Sequence, residues 1–480
     1  MEINKYEAVI GLEVHAQLQT NSKLFCGDSI YYGAEPNTQV SPITLGHPGT
    51  LPKTNTKAIE YAIKLGLACN CEIVERNYFA RKNYFYPDLP KGYQISQHTT
   101  PICIGGEVEI TLNNKTQKIE LNRIHIEEDA GKSIHDLYED ETCIDLNRAG
   151  TPLLEIVTEP CLHSSDEAFQ YVTELRKLVR WIGVCDGNME QGSLRCDANI
   201  SIRLRGEKKL GTKVEVKNIN SIRNVKRAID AEIKRMIEVV ESGGTIIQQT
   251  RGYDVASDTT TAIREKEDAN DYRYFADPDL TPFKIEQEYI IEIQDQLPTL
   301  PNELKEKLKQ DFELNDYNAQ QLCEEKNIAD FFVNATQYST NYKAIANFIL
   351  GPIKQYLNEV NVQISETNLS ATKLADLIKI IDDGKINFSI ASTKILPILF
   401  KEDISPLEYA EQNNLIQVND DNEIEVWVNS VLENMPLKVE EYKKGKKGLI
   451  GLFVGEVKKI SKGKADPKIV IELLNKKLNS

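Results

Sequence analysis

The sequence predicts an α+β fold in which a mostly antiparallel-sheet domain is followed by all-helical segments. Three observations predict it. Apolar and polar residues alternate with a period of two through roughly the first 290 residues, the pattern of half-buried strands. Strands and helices do not alternate regularly, so a parallel sheet of βαβ units is not expected. Beyond Gln296-Leu-Pro-Thr-Leu-Pro301 the period becomes helical, and the paired prolines mark a domain boundary.

Taken in order, Ile10–Leu18, Gly106–Leu112 and Arg123–Glu127 read as strands, and Leu153–Val157 as a mostly apolar one. Ser164 to Ile182 reads as a helix, because Ser-Ser-Asp-Glu is a suitable N-cap region. Leu194–Leu204 and Lys213–Lys217 return to alternation. Ser221 to Glu241 is a second helix, stopped by Gly243-Gly244. Helices then follow over Asn302–Phe312, Asn318–Lys326, Tyr342–Asn358 and Ser370–Asp383. A third segment opens near Ser405-Pro406, and its last helix begins at Asp466-Pro467, an N-cap and N1 pair. The expected domains are 1–296, 297–404 and 405–480.

A chain of 480 residues exceeds one ordinary core. Its 41% hydrophobic and 27% charged content are those of a soluble globular protein. The opening MEINKYEAVI lacks the basic-then-apolar order of a signal peptide, and no apolar run approaches membrane length. Nine scattered cysteines argue against a disulfide framework, so a reducing cytoplasm is expected. The net charge of −16 is unevenly spread. From Lys438 to Ser480 twelve lysines face five acids, a basic C-terminal module on an acidic body.

Chemistry-bearing residues are front-loaded: all six histidines lie at or before His163. Strand parity sorts them, since alternate side chains share a face. Ile10, Leu12, Val14 and Ala16 oppose Glu13, His15 and Gln17. Ile124 and Ile126 oppose Arg123, His125 and Glu127, and the apolar set of Leu194–Leu204 opposes Arg195, Asp197 and Asn199. Two valines oppose Lys213, Glu215 and Lys217, while Glu155 is a charge within an apolar run that burial would penalise if unpaired. A half-buried sheet with one wet face accounts for such alternation. A convergent site accounts for the histidines and carboxylates as well, and would suit Mg²⁺ and a triphosphate.

Gly131-Lys-Ser133 is not half of a phosphate-binding loop, because Ile126 stands where the first glycine is required. Arg81–Gln97 interleaves basic residues with aromatics, including Tyr84, Tyr86 and Tyr93. It reads either as a base-stacking surface or as a rigid loop whose tyrosines cover the core. Cys69-Asn-Cys71 is an isolated pair, which does not make a four-ligand zinc site.

Six motifs occur together: Gly11-Leu-Glu-Val-His15, Arg81-Lys-Asn-Tyr-Phe-Tyr-Pro-Asp88, His125-Ile-Glu-Glu-Asp-Ala-Gly-Lys132, Asn147-Arg-Ala-Gly-Thr-Pro152, Gly192-Ser-Leu-Arg-Cys-Asp-Ala-Asn199 and Asp271-Tyr-Arg-Tyr-Phe275. With them the chain closely resembles, over essentially its whole length, the B-subunit family of aspartyl/glutamyl-tRNA amidotransferases. The resemblance implies a catalytic cradle domain, a helical domain and a small tail domain related to the YqeY proteins. It implies a heterotrimer with an amidase-type A subunit and a small C subunit, acting on Glu-tRNA(Gln), Asp-tRNA(Asn) or both. It also implies that ATP and Mg²⁺ are used to phosphorylate the misattached carboxylate, from which ammonia released by the A subunit displaces phosphate. The alternative is a tRNA-binding scaffold whose polar face is structural.

By resemblance and parity together, the candidate catalytic residues are Glu13, His15, Glu128 and Lys82. Glu13, His15, Glu127, Glu128, Glu155 and Asp197 are the Mg²⁺ candidates, with Glu190 a weaker member. Arg195, Lys213 and Lys217 are candidates for phosphate. Tyr84, Tyr86 and Tyr93, together with Lys443, Lys444, Lys446 and Lys447 of the tail, are candidates for tRNA.

Two departures from the family stand out. The resemblance implies that many relatives hold zinc with a C-x-C and a C-x-x-C in the loop covering residues 26 to 44. Here only Cys26 remains, beside Asp28, Ser41 and Thr44, so zinc is not expected and packing must hold that loop. Phe275-Ala-Asp-Pro278 replaces the Phe-Pro-Glu-Pro more usual in the family.

Overall fold

The computed structural model describes residues 5–265, 272–416, 421–461, 464–465 and 467–479. It is an α+β protein that divides into two compact units, the first ending at Leu300 and the second starting at Pro301. Asp271 and Asp466, which open a quoted motif and the expected last-helix cap, lie outside the described residues.

The first unit is built on one ten-stranded sheet. Its strands are β1 (Tyr6–Gln17), β2 (Glu72–Ile73), β3 (Cys103–Ile104), β4 (Glu107–Leu112), β5 (Lys115–Glu128), β6 (Pro152–Thr158), β7 (Leu194–Leu204), β8 (Val214–Ile219), β9 (Gln249–Asp254) and β10 (Thr259–Glu265). Their order is β10-β9-β8-β7-β1-β6-β5-β3-β2, with β4 also on β5. Every pairing is antiparallel except β8 with β9, which is parallel. One parallel pair among antiparallel ones agrees with the mostly antiparallel sheet that the sequence predicts. The long helix between the two strands carries the chain back to the same end of the sheet.

Ile10, Leu12, Val14 and Ala16 are essentially inaccessible, as parity requires of a strand with one covered face. Helices α1 (Thr56–Ala68), α2 (Ser165–Trp181) and α3 (Ile222–Glu241) pack against the sheet. Ser164 and Ser221 cap α2 and α3 through side-chain bonds to the amides of Glu167 and Asn224. The sequence predicts two helices in this unit. The described residues add α1, capped by Asn55, and a shorter α4 (Gln287–Asp295). Helix α1 escapes a search for polar periodicity because six of its thirteen residues are buried and small or aliphatic.

The second unit is helical from Pro301–Asp311 onward. The helix expected over Tyr342–Asn358 is interrupted by a wider turn at Ile349–Ile353, where Gly351 leaves helical geometry before Pro352. It resumes over Lys354–Val360 and stops at a left-handed Asn361. One continuous helix expected over Asn318–Lys326 is instead two, Asp316–Leu322 and Lys326–Ala335. Toward the C-terminus, Ile424, Val428, Phe453, Val457, Val470 and Leu474 belong to a cluster with its own buried core. No described helix is long and apolar enough to cross a membrane.

Candidate active site

One row of side chains crosses β5, β6, β1 and β7 at a common register: His125, Glu155, His15, Arg195. Opposed residues on adjacent strands lie about 4.5–5.5 Å apart, so positions distant in sequence become neighbours. The adjoining rows add Glu13, opposite Asp197, and Glu127 at the end of β5.

Glu155 Oε2 stands 3.4 Å from His15 Nε2 and 3.3 Å from His125 Nε2. His15 Nε2 is also 3.6 Å from Glu13 Oε1 and 3.7 Å from Glu127 Oε1. Donor atoms of Glu13, His15 and Glu155 lie within 4.8 Å of one another, as do those of His125, Glu127 and Glu155. Glu155 belongs to both sets. It is the charge that looks misplaced in an apolar strand, and its partners resolve that cost.

The electrostatics follow from crowding. Burial pushes both imidazoles down, but surrounding carboxylates, Glu155 foremost, outweigh it and raise His15 and His125 to about 9. Burial and Glu155 push Glu13 up, whereas the histidines hold Glu155 well below the ordinary carboxylate range against its burial. Burial also disfavours the Lys82 ammonium, but Glu127 and its neighbours more than compensate and raise its pKa. The Lys82 ammonium sits 5.0 Å from the Tyr272 ring centroid. His98 stacks on Tyr274 at 4.0 Å along another wall of the same pocket of about 200 Å³.

Three carboxylates suit a hard divalent cation, while imidazoles are the softer members of the set. His125 Nδ1 is buried without a hydrogen-bond partner among the described residues. The three carboxylates therefore fit Mg²⁺, and the imidazoles would join them only in the neutral form, giving up the proton that the carboxylates hold on them. A larger cavity of about 910 Å³ adjoins it through Lys217 and is also lined by Gln17, Tyr31, Tyr32, Arg195 and Asp197.

The structure separates several candidates that the sequence groups together. Glu128 is not with the acid cluster: its Oε1 accepts the Ile95 amide at 2.9 Å and is paired with Lys91. Consecutive residues in a strand point to opposite faces, so only Glu127 reaches the histidines. Arg195 is committed to Asp129 through two bonds of 2.8 and 3.1 Å, so it orders that carboxylate rather than offering an unpaired fork. Asp197 accepts Lys217 Nζ at 2.7 Å and faces the larger cavity. Lys213 precedes β8, is exposed and lines neither cavity; Glu190 is exposed on the larger cavity's rim.

The tyrosines also diverge. Tyr84 is half-buried and bonds Gln94, Tyr86 is exposed, and the face of Tyr93 is covered by the Arg81 guanidinium at 4.1 Å. Tyr93 is thereby withdrawn from base stacking. Arg81 is held by Asp277 and Asp279, both at 2.8 Å, which gives the variant 275–278 turn a role as anchor of this strand. In the second unit, Lys443, Lys444, Lys446 and Lys447 are all exposed.

In the loop spanning residues 26 to 44, Asp28 Oδ2 accepts Thr44 Oγ1 at 2.5 Å and the Ser41 amide at 2.8 Å. Cys26 Sγ lies 3.4 Å from Thr44 Oγ1. One thiol, one carboxylate and two hydroxyls are not a structural zinc set. The fully buried Lys23 donates to the carbonyls of Gln39 and Leu146 beneath the loop. Gly131-Lys132-Ser133 runs into a short strand rather than a helix, so no phosphate loop forms.

Sequence reasoning assigns no role to His98, Tyr272 and Tyr274. The signal available is the Tyr272-Arg-Tyr motif, whose position only the folded chain gives. Parity puts His125 on the polar face, and the structure sets its ring beside Glu127 and Glu155.

An α+β chain that gathers two imidazoles, carboxylates and a half-buried lysine at one pocket is built as an enzyme domain. A family model described as the GatB/GatE catalytic domain matches residues 8–291, and one described as a GatB domain matches residues 330–478. The chain belongs to the B-subunit family of the aspartyl/glutamyl-tRNA(Asn/Gln) amidotransferases. It is 49% identical to the B subunit so named from Persephonella marina, over 99% of this chain and 100% of the relative. It is 48% identical to those of Geotalea daltonii, over 99% of both chains, and Thermodesulfovibrio yellowstonii, over 98% of this chain and 99% of the relative.

Proposed function

We propose that this chain is the activating subunit of a tRNA-dependent amidotransferase, a glutamine-dependent ligase of the cytoplasm. It works with an amidase-type A subunit and a small C subunit on Glu-tRNA(Gln), Asp-tRNA(Asn) or both. The observation that carries this reading is the double cluster joined at Glu155, lying within the part of the chain that matches a catalytic domain.

The misattached side-chain carboxylate is a poor acyl donor. Its oxygen attacks the γ-phosphorus of ATP, ADP leaves, and the acyl phosphate then loses phosphate to incoming ammonia. Glu13, His15, His125, Glu127 and Glu155 would hold Mg²⁺, which supplies charge neutralisation at the transferring phosphoryl group. Lys82 lines the same pocket and offers a further countercharge. Lys217 stands where the two cavities meet and is our candidate for the phosphates. The division into a cradle to about residue 296, a helical part and a tail from about 405 belongs to the same proposal. The four exposed tail lysines then contact the tRNA body electrostatically.

The test combines this chain with its A and C partners, mischarged Glu-tRNA(Gln), ATP and glutamine, and measures Gln-tRNA formation. A parallel arm uses Asp-tRNA(Asn). Failure to amidate either substrate, with partners active as a glutaminase, would remove the proposal.

A further inference from the structure

We propose that an arginine-lined cavity next to the large one grips the phosphodiester backbone of the tRNA acceptor strand, whose 3′ end then crosses the large cavity to the acid pocket. This rests on the functional reading above and adds the strand's route and polarity.

The cavity, about 700 Å³, is lined by Arg176 and Arg180 of α2 and by Arg223 in the first turn of α3. Arg176 and Arg180 are one helical turn apart, and both stems lie over Gly187. A Cβ there would come within 2.8 Å of Arg176 Cγ and 3.1 Å of Arg180 Cδ. The glycine thus lets two like charges lie side by side, an arrangement that costs energy on a helix surface. Burial and the Arg180 charge together hold Arg176 below its ordinary pKa.

Among the described residues, no ion pair neutralises the group. Arg176 Nε donates to the Gly187 carbonyl at 2.6 Å. Asp186 shares the cavity, but its oxygens accept the Asn188 amide at 2.8 Å and Ser193 Oγ at 3.3 Å. Glu190 is exposed on the rim and is not paired with the arginines among those residues. Guanidinium forks left in this way match phosphate oxygens.

The location selects a strand over a single anion. Asp186, Met189, Glu190 and Asn220 line both this cavity and the large one, which in turn meets the acid pocket at Lys217. Between the two ends, Tyr31 and Tyr32 are 73% and 64% exposed at the large cavity, available for unpaired bases. A strand carries a phosphate at every nucleotide and can occupy all three stations. Because the reacting aminoacyl group is at the 3′ terminus, the arginines take phosphates on its 5′ side.

The experiment measures binding of an RNA acceptor-stem hairpin with a single-stranded 3′ end to the full chain, across a KCl series. Arg180→Ala and Arg223→Ala are the variants, both at exposed positions where folding is preserved. Each is expected to weaken RNA binding roughly threefold to tenfold and to lower the salt slope by about 1, with ATP binding unchanged. Unchanged RNA affinity and slope in both variants overturns the proposal. So does a loss of ATP affinity in place of RNA affinity, which would assign the arginines to a triphosphate. Glu155→Gln in the assembled enzyme separates the two readings. If that variant keeps turnover while the arginine variants lose RNA, the catalytic assignment falls and the strand site stands.

Discussion

Glu127 and Glu128 are consecutive residues whose carboxylates serve opposite faces of the sheet. Glu127 Oε1 lies 3.7 Å from His15 Nε2, whereas Glu128 Oε1 accepts the Ile95 amide at 2.9 Å and pairs with Lys91. Glu127→Gln should therefore abolish ATP-dependent activation with little loss of stability. Glu128→Gln should keep most turnover while costing about 1–3 kcal/mol, because it weakens a buried charged acceptor. Paired kinetics and urea unfolding decide the matter, and equal kinetic damage from both changes would refute the separation.

Glu155 is shared by both clusters, so its loss should disable them together. Glu155→Gln is expected to lower the activation rate on the order of 10²-fold or more, with tRNA affinity nearly intact. Single-turnover acyl-phosphate formation and a tRNA binding titration read the two quantities separately. A purely structural glutamate would lower both together.

Lys23 is fully buried beneath the loop spanning residues 26 to 44 and donates to Gln39 and Leu146 carbonyls at 2.7 and 3.3 Å. Lys23→Met leaves those acceptors without their cation. A loss of about 1–3 kcal/mol is expected, read as a lower urea midpoint for the first unit. Added zinc should not restore it, since the loop lacks the ligands.

Asp28 supplies the acid dependence of the same loop. Burial pushes its carboxyl up, but bonds from Thr44 and Ser41 outweigh this and bring it below the ordinary value. A depressed carboxylate contributes stability that is complete above its unfolded pKa of about 3.9 and is lost as pH falls toward the folded value. Amide protection at Ser41 should thus decline on acidification below about pH 4 in the wild type. In Asp28→Asn it should be lower at neutral pH and flatter. Parallel profiles for the two proteins would contradict this assignment.

Gly131 is required by close packing of two carbonyls rather than by phosphate. A Cβ there would come within 2.9 Å of both the Asp145 and Asp88 oxygens, and its amide bonds the latter at 2.8 Å. Gly131→Ala should destabilise the first unit by roughly 1–3 kcal/mol, as overpacking does. ATP affinity should change far less than stability, which equilibrium unfolding and nucleotide titration will separate.

Much of the site is legible in the sequence because strand parity is a local property. Glu13, His15, His125 and Glu127 fall on polar faces from alternation alone, Glu155 stands out as a charge in an apolar run, and α2 and α3 announce themselves through their serine caps. Helix α1, composed largely of small and aliphatic residues, offers no such contrast. Tyr272 and Tyr274 are visible as a motif but not as a wall, because they lie far from Lys82 in sequence.

By itself, then, the sequence determined the α+β class, the face on which each strand side chain stands, and the family. Tertiary structure alone decided which polar side chains keep an open valence. Register joined His125, Glu155 and His15 into one row, while Asp129 claimed Arg195, Arg81 covered Tyr93, and Ile95 and Lys91 took Glu128. Alternation follows from the geometry of one strand, whereas a partner comes from another part of the chain and exists only after the sheet has closed.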